Sequence, residues 1–253
     1  MAVIIKNPTP DHVDALRRLW KEAFRDEDAY LNLFFETAYS PLRCRCVFDG
    51  DTPVAAVYWL DCTCRGKKLA YLYAVATKET HRGRGLCRQL LTDTHRHLYA
   101  LGYRGTVLVP GRESLFKMYE SMGYNAFGPM REFVCAPGGS VAAIHRVTAE
   151  EYARLRRQML PEGGILQEEE CLALLDTQAE FYAGPLFLLA AHREEDSLLG
   201  LELLGDASAA PGILLALGMA QGRFRIAGGD TPFAMYRPLS AAKAPTYFAF
   251  AFD

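Results

Sequence analysis

No apolar run in the 253-residue chain approaches the roughly 18–20 residues that a membrane span requires, and the longest candidates, such as Ile213 to Ala220, reach less than half of that. The opening MAVIIKNPTP has no basic segment ahead of its short apolar stretch, so it does not read as a secretory signal and a cytoplasmic location is expected. An even set of cysteines is also missing. Seven cysteines without an export signal read as reduced thiols rather than as a disulfide framework. Neither sign of charge dominates: the net charge is -2, which speaks against a nucleic-acid partner. The composition is that of a soluble globular chain, with 50% hydrophobic and 23% charged residues.

The charge is unevenly spread. Residues 1–140 carry 19 Lys and Arg against 15 Asp and Glu, whereas residues 141–253 carry 9 against 15. That asymmetry suits two modules, of which the first could bind a polyanionic ligand. The segment Ala136-Pro137-Gly138-Gly139-Ser140 reads as the linker. At a constant offset of 139, Ile5-Lys6-Asn7-Pro8-Thr9-Pro10 and then Leu16-Arg17-Arg18 align with Ile144-His145-Arg146-Val147-Thr148-Ala149 and then Leu155-Arg156-Arg157. Both copies read as strand, Thr N-cap and amphipathic helix, and in the second Thr148 and Glu151 have capping-box spacing. Two domains follow, residues 1–138 and 139–253.

Cys44-x-Cys46 and Cys62-x-Cys64 look superficially like paired metal ligands. The turn signal Asp49-Gly50-Asp51 instead predicts a hairpin with Cys46 near Ala56 and Cys44 near Tyr58, out of reach of Cys62 and Cys64. These thiols read as small hydrophobes on strands, and no metal is expected. Lys68 to Thr77 and Thr106 to Pro110 read as further strands. A helix is predicted from Gly85 to Leu101, with Leu86, Leu90, Leu91 and Leu98 on one face and Gly102 at its C-terminal cap. A second helix runs from Glu113 to Met122 and ends at Gly123, followed by closing strands at Tyr124 to Phe127 and Arg131 to Cys135. The fold class is α/β, a mixed (α+β) sheet flanked by helices. The ending Thr246 to Asp253 alternates like a buried strand.

The stretch from Val75 to Cys87 carries the chemistry. It is a strand, a basic loop His81-Arg82-Gly83-Arg84-Gly85, and the start of a helix. Glycines permit close backbone approach, first-turn N–H groups point outward, and Arg82, Arg84 and Arg88 add positive charge, which together suit a pyrophosphate. A tight turn with solvated arginines accounts for the same residues. G-x-x-x-x-G-K-[ST] is absent, and Arg88 stands where a dinucleotide fingerprint needs its third glycine.

Arg82-Gly83-Arg84-Gly85-Leu86-Cys87 resembles the [QR]-x-x-G-x-[GA] signature of the GNAT superfamily of N-acetyltransferases. The later segment Phe116-Lys117-Met118-Tyr119-Glu120-Ser121-Met122-Gly123-Tyr124 is similar to the tyrosine-bearing helix of that family. The resemblance covers most of residues 1–135. It implies the GNAT fold, here as two tandem acetyltransferase-like domains, and acetyl-CoA as cosubstrate. Pantetheine would lie against Val75, Ala76 and Thr77 between two diverging strands, with the pyrophosphate on Arg82, Gly83, Arg84, Gly85, Leu86 and Cys87. An amine would attack the thioester directly, a backbone N–H near Ala76 would polarise the carbonyl, and Tyr119 would protonate the departing thiolate. Cys87 departs from the signature; at a helix N-terminus beside arginines its thiol is expected to be acidified and redox sensitivity is conceivable, although a thiol covered by the cosubstrate would be inert.

The expected activity is N-acetylation of a primary amine on a small molecule or peptide; a non-catalytic acyl-CoA sensor or scaffold is the alternative. Asp28, Glu36, Glu113 and His81 are candidates for the base by residue type alone. The acidic, aromatic segment Phe24 to Tyr39 would suit a cationic acceptor, and an amphipathic packing helix explains it equally. The second half has no basic glycine loop, so it reads as a degenerate copy that helps to build the acceptor cleft or stands in for a dimer partner. No nucleic acid and no membrane are expected as partners, and the chain is expected to be a monomer or homodimer.

Overall fold

The computed structural model describes residues 3–252. Met1, Ala2 and Asp253 lie outside them, so the beginning of the stretch examined for an export signal and the end of the expected last strand are not described. No helix among the described residues is long and apolar enough to cross a membrane. The chain forms two compact units: the part up to Asn125 together with Tyr236–Lys243, and Ala126–Met235 together with the chain from Ala244 onward. The glycine-containing segment 136–140 therefore falls inside the second unit.

The first unit runs β1 (Ile4–Lys6), α1 (Val13–Phe24), α2 (Asp28–Thr37), β2 (Cys44–Asp49), β3 (Thr52–Cys64), β4 (Lys67–Thr77), α3 (Leu86–Ala100), β5 (Gly105–Leu108) and α4 (Ser114–Glu120). Its strands lie in sequence order, β1 to β5, antiparallel up to β4 and parallel between β4 and β5. The hairpin has the expected register, Cys46 opposite Ala56 and Cys44 opposite Tyr58, with Gly50 at φ +60 in the turn. All seven cysteines are free, and Cys44, Cys46, Cys62 and Cys64 are buried on their strands. Among the described residues no group of three or more metal-ligating side chains forms.

One face of the sheet packs on α1 and α2 through Trp20, Phe34 and Tyr58. On α3, Leu86, Leu90, Leu91 and Leu98 are all buried, as their spacing predicts. That helix closes in a Schellman motif: Gly102 at φ +87 donates to the Tyr99 carbonyl at 3.0 Å, and Tyr103 N–H donates to the Leu98 carbonyl at 3.0 Å. The same motif ends α4. Gly123 at φ +86 donates to the Glu120 carbonyl at 2.9 Å, and Tyr124 N–H donates to the Tyr119 carbonyl at 3.2 Å.

The second unit contains all of β6 (Asn125–Cys135) but its first residue, β7 (His145–Val147), α5 (Ala149–Met159), α6 (Glu170–Asp176), β8 (Glu180–Ala183), β9 (Phe187–Glu194), β10 (Ser197–Gly205), α7 (Ala210–Leu217) and most of β11 (Gln221–Pro238). From β7 to β11 the strands again lie in sequence order, antiparallel up to β10 and parallel between β10 and β11. The last three residues of β11, Tyr236 to Pro238, belong to the first unit, where β11 runs beside β5. A side chain at Gly105 would run into the Tyr236 ring, so this β5 position requires glycine. Thr148 caps α5 by accepting the Glu151 N–H at 3.2 Å, while the Glu151 carboxylate accepts from Arg154 at 3.1 Å instead of closing a reciprocal box.

Two expectations about strands need correction. The two closing strands at Tyr124 to Phe127 and Arg131 to Cys135 are one strand, β6, which carries Gly128 at φ +62 within it. The C-terminal stretch is not an alternating strand. Tyr247 to Ala251 are buried without alternation, and one bridge from Tyr247 to Gly164 is the only ladder contact among the described residues there. The Gln167 side chain takes the place of a strand, donating to the Phe250 carbonyl at 2.8 Å and accepting the Phe250 N–H at 3.1 Å.

Candidate active site

The site grows from an irregularity in β4. Ala56 pairs with Ala76 and Tyr58 pairs with Tyr73, so two residues of β4, Ala74 and Val75, oppose Val57 alone. Ala74 takes φ +47, a conformation costing an alanine about 1 kcal/mol, which the flanking pairs hold in place. The bulge takes Ala74 and Val75 out of regular pairing with β3. On the other edge of β4, pairing with β5 covers Leu69 to Tyr71 opposite Gly105 to Val107 and stops there. Beyond Tyr71 the ladder between the two parallel strands ends while β4 continues to Thr77, and this divergence marks the candidate slot.

Past Thr77 the chain turns through a 3-10 turn, Glu79–His81, and enters α3 at Gly85, which is left-handed at φ +74. Gly83 has the same φ, and a Cβ there would meet nothing within 4 Å. The glycine thus leaves free space over the loop. Arg82 folds the loop by donating its Nε to the Thr77 carbonyl at 3.1 Å, and Arg84 does so by donating to the Thr80 carbonyl at 3.0 Å. Both remain exposed. The first N–H groups of α3 have no intrahelical acceptor and point the same way. Beside the loop is a cavity of about 280 Å³ bounded by Thr77, Arg82, Gly85, Cys87, Met118 and Met122, among others. Arg88 bridges it, donating to the Ser121 carbonyl at 3.1 Å and to Ser121 Oγ at 2.7 Å. The start of α3 is thereby tied to the end of α4.

The sequence-predicted residues Val75, Ala76 and Thr77 lie on β4 beyond the end of its pairing with β5, and Arg82, Gly83, Arg84, Gly85, Leu86 and Cys87 form the loop and the first turn of α3. Tyr119 is buried on α4, its ring edge-on to Tyr124 with centroids 5.7 Å apart. Burial raises the Tyr119 phenol above its ordinary value, with a smaller push from the Cys87 sulfur. Cys87 itself corrects an expectation. Its thiol is not acidified: burial pushes it up to about 11, and the opposing charge of Arg88 does not compensate. At neutral pH it is a protonated, unreactive wall of the cavity.

Residues 4–127 match the family described as Acetyltransferase (GNAT) domain. These residues are a GNAT acetyltransferase domain. Enzymes of this family use acetyl-CoA, and the glycine cradle and the basic loop on the helix N-terminus fit its pyrophosphate. No curated protein matches the chain. Solved structures share the fold along nearly its whole length. A GCN5-related N-acetyltransferase from Kribbella flavida is 19% identical with TM-score 0.73, covering 95% of this chain and 73% of that one. One from Anabaena variabilis ATCC 29413 is 11% identical with TM-score 0.75, covering 94% and 73%. One from Sphaerobacter thermophilus is 10% identical with TM-score 0.58, covering 97% and 98%.

The structure sorts the candidate bases of the GNAT domain. Asp28 is held by Lys21 at 2.8 Å, and this contact lowers its pKa, leaving it a weak proton acceptor. Glu36 is exposed on α2, and Glu113 is the exposed N-cap residue of α4. His81 lines the cavity beside the basic loop and hydrogen-bonds Thr80 at 2.9 Å, with Asp49 at 3.4 Å. In the aromatic segment Asp26 is likewise engaged, accepting from Trp20 Nε1 at 2.7 Å. Two groups escaped sequence reasoning. His95 is buried on α3 and hydrogen-bonds the Tyr124 hydroxyl at 2.7 Å, and Arg237 reaches His95 from the far end of the chain at 2.9 Å. A lone histidine on an apolar helix face and an arginine at the end of a strand carry no signal in sequence.

Proposed function

We propose that the chain is an acetyl-CoA-dependent N-acetyltransferase that transfers the acetyl group to a primary amine by direct attack. The observation that carries the reading is the bulge at Ala74 and Val75 at the mouth of the β4/β5 slot, continuous with a basic glycine loop at the start of α3 and with a buried tyrosine on α4. The edge of β4 from Val75 to Thr77 would hydrogen-bond the pantetheine arm. Arg82, Arg84 and the N–H groups of Gly83 to Cys87 would hold the pyrophosphate. Backbone N–H at the bulge, near Ala76, would donate to the thioester oxygen as negative charge develops on it.

An alkylamine with a reference pKa of about 10.4 arrives as ammonium and must shed a proton before it attacks. Nitrogen then bonds to the acetyl carbon, the C–S bond breaks, and the electron pair leaves with sulfur. Burial keeps the Tyr119 phenol protonated throughout the neutral range, so its O–H donates to the departing sulfur. Because that phenol is less acidic than a thiol of pKa about 8.5, its main contribution is a hydrogen bond to the developing thiolate. The nitrogen loses a second proton once it is bonded to the acetyl carbon, and that proton balances the charge on the released thiolate, while the one shed before attack passes to water.

The second unit supports a reading of the chain as tandem, with residues 1–138 catalytic and 139–253 a degenerate copy. From β7 to β11 it repeats the strand order of the first unit, including a register shift in β10 between Gly200 and Glu202. The loop that leads into α7 has no arginine, carries Asp206, and places Pro211 in the first turn, which removes an N–H. Residues 138–142 cover that turn: Gly138 donates to the Pro211 carbonyl at 3.2 Å and Ala142 to the Gly212 carbonyl at 3.1 Å. A phosphate would meet a carboxylate and a closed backbone there.

Two expected results follow for the first unit. Replacing Arg82 and Arg84 together by Ala is expected to weaken acetyl-CoA binding about 100-fold or more, since charge-assisted hydrogen bonds contribute about 1.5–3 kcal/mol each. Isothermal titration checks it, and an unchanged affinity would move the pyrophosphate elsewhere. Release of CoA thiol in the presence of polyamine, aminoglycoside, amino-acid and peptide amines tests the activity. At least one class is expected to accelerate it; thermal stabilisation by acetyl-CoA with no accelerating amine would favour an acyl-CoA sensor.

A further inference from the structure

Beside Tyr119 lies a chain of buried and half-buried polar groups that the reaction as written does not use. It begins at Arg237, which belongs to the first unit although it follows Tyr119 by more than a hundred residues. One guanidinium nitrogen of Arg237 donates to the Met122 carbonyl at 2.7 Å and to His95 Nδ1 at 2.9 Å. His95 Nε2 lies 2.7 Å from the Tyr124 hydroxyl, and that hydroxyl lies 3.0 Å from Thr106 Oγ1 on β5.

Donor chemistry fixes the direction of the bonds from Arg237 through His95 to Tyr124. A guanidinium only donates, so His95 Nδ1 must accept and the ring proton must sit on Nε2. Nε2–H then donates to the Tyr124 oxygen, and the Tyr124 and Thr106 hydroxyls share the last hydrogen bond. Burial and the Arg237 charge both hold His95 neutral, at about 3 against an ordinary 6.5, which keeps the ring in the single form the chain needs.

The chain ends on the backbone of Tyr119. Tyr124 is the residue whose N–H donates to the Tyr119 carbonyl at 3.2 Å and whose ring meets the Tyr119 ring edge-on. At the same helix end Arg237 holds the Met122 carbonyl, a favourable place for a positive charge. Arg88 grips Ser121 from the side of the basic loop. The last turn of α4 is thus held by two arginines from elements distant in sequence.

We infer that Arg237 is a positioning residue for acyl transfer: through the Met122 carbonyl and the His95–Tyr124 pair it fixes the helix end that aims the Tyr119 hydroxyl. This rests on the reading of Tyr119 as the donor to the leaving thiolate. A misaimed donor costs rate without costing affinity for the cosubstrate, because the pyrophosphate loop and the β4 edge are untouched.

The test compares the full chain with Arg237→Met, Arg237→Lys, Tyr119→Phe and the Tyr119→Phe/Arg237→Met double variant. CoA thiol release is followed with acetyl-CoA and spermine, kanamycin or triglycine as acceptor probes, with hydrolysis by water as the floor. Arg237→Met is expected to lower kcat about tenfold while leaving KM for acetyl-CoA within about twofold. Arg237→Lys, which keeps the charge and a donor, is expected to recover most of kcat. In the Tyr119→Phe background the added Arg237→Met is expected to change the rate less than about twofold, because the two residues act as a unit. Calorimetric affinity for CoA and the thermal transition check that each variant is folded. Unchanged kcat in Arg237→Met, a loss confined to KM, or the same tenfold loss in the double variant would overturn the inference. Wild-type turnover in Tyr119→Phe would remove both the donor reading and the inference, whereas an impaired Tyr119→Phe beside an unimpaired Arg237→Met would remove the inference alone. If Tyr119→Phe falls to the floor, kcat in Arg237→Lys decides: no recovery over Arg237→Met overturns the inference.

Discussion

Tyr119→Phe is expected to bind CoA as the natural chain does and to turn over about 100-fold more slowly or worse, the usual scale for losing a positioned proton donor. The substitution deletes one oxygen and leaves the ring. Packing against Tyr124, the Schellman closure of α4 and the cavity wall formed by Met118 and Met122 all remain. Only the group that would meet the departing sulfur is lost. The effect therefore belongs in kcat, and calorimetric affinity for CoA should be unchanged. If kcat survives, the departing thiolate is stabilised by something else and Tyr119 is a core aromatic.

The second large effect concerns acid. Unfolded, His95 takes up a proton near 6.5; folded, it resists until about 3, chiefly through burial and then through the Arg237 charge. Between those values the unfolded chain binds the extra proton, so folding stability rises with pH across that window. The contribution is complete above 6.5 and is lost as the pH falls toward 3, amounting to about 5 kcal/mol in all. Denaturant midpoints measured at several pH values between 7 and 4 should fall steeply. The slope should flatten in His95→Gln, which keeps an acceptor for Arg237 and a donor for Tyr124. Equal slopes in the two proteins would mean that His95 is protonated at little cost.

Much of this architecture is legible in the sequence because local chemistry dictates it. Asp49-Gly50-Asp51 marks the hairpin, whose register at the cysteines also includes a one-residue shift between Val47 and Phe48, and the leucines of α3 with Gly102 mark that helix and its closure. The basic glycine loop and Tyr119 stand out because the segments that carry them resemble two GNAT motifs in the family's order. What escaped reading depends on distant partners. Ala74 adopts a left-handed conformation without being glycine, so nothing local announces the bulge. Cys87 looks activated from its neighbours in sequence, while the desolvation that reverses the effect comes from packing. Gln167 replaces a strand for Phe250 across more than eighty residues. Arg237 joins the GNAT domain only because the end of β11 lies beside β5.

Residues 4–127 establish the GNAT acetyltransferase domain, and the central proposal is that its slot delivers an acetyl group to nitrogen. Mass spectrometry of a panel of amine acceptors, after incubation with acetyl-CoA whose acetyl group carries an isotopic label, tests this most directly. The account predicts a labelled acetyl group on the nitrogen of at least one acceptor, formed in step with CoA release and suppressed by Tyr119→Phe. CoA bound in the slot with no label on any acceptor would contradict it.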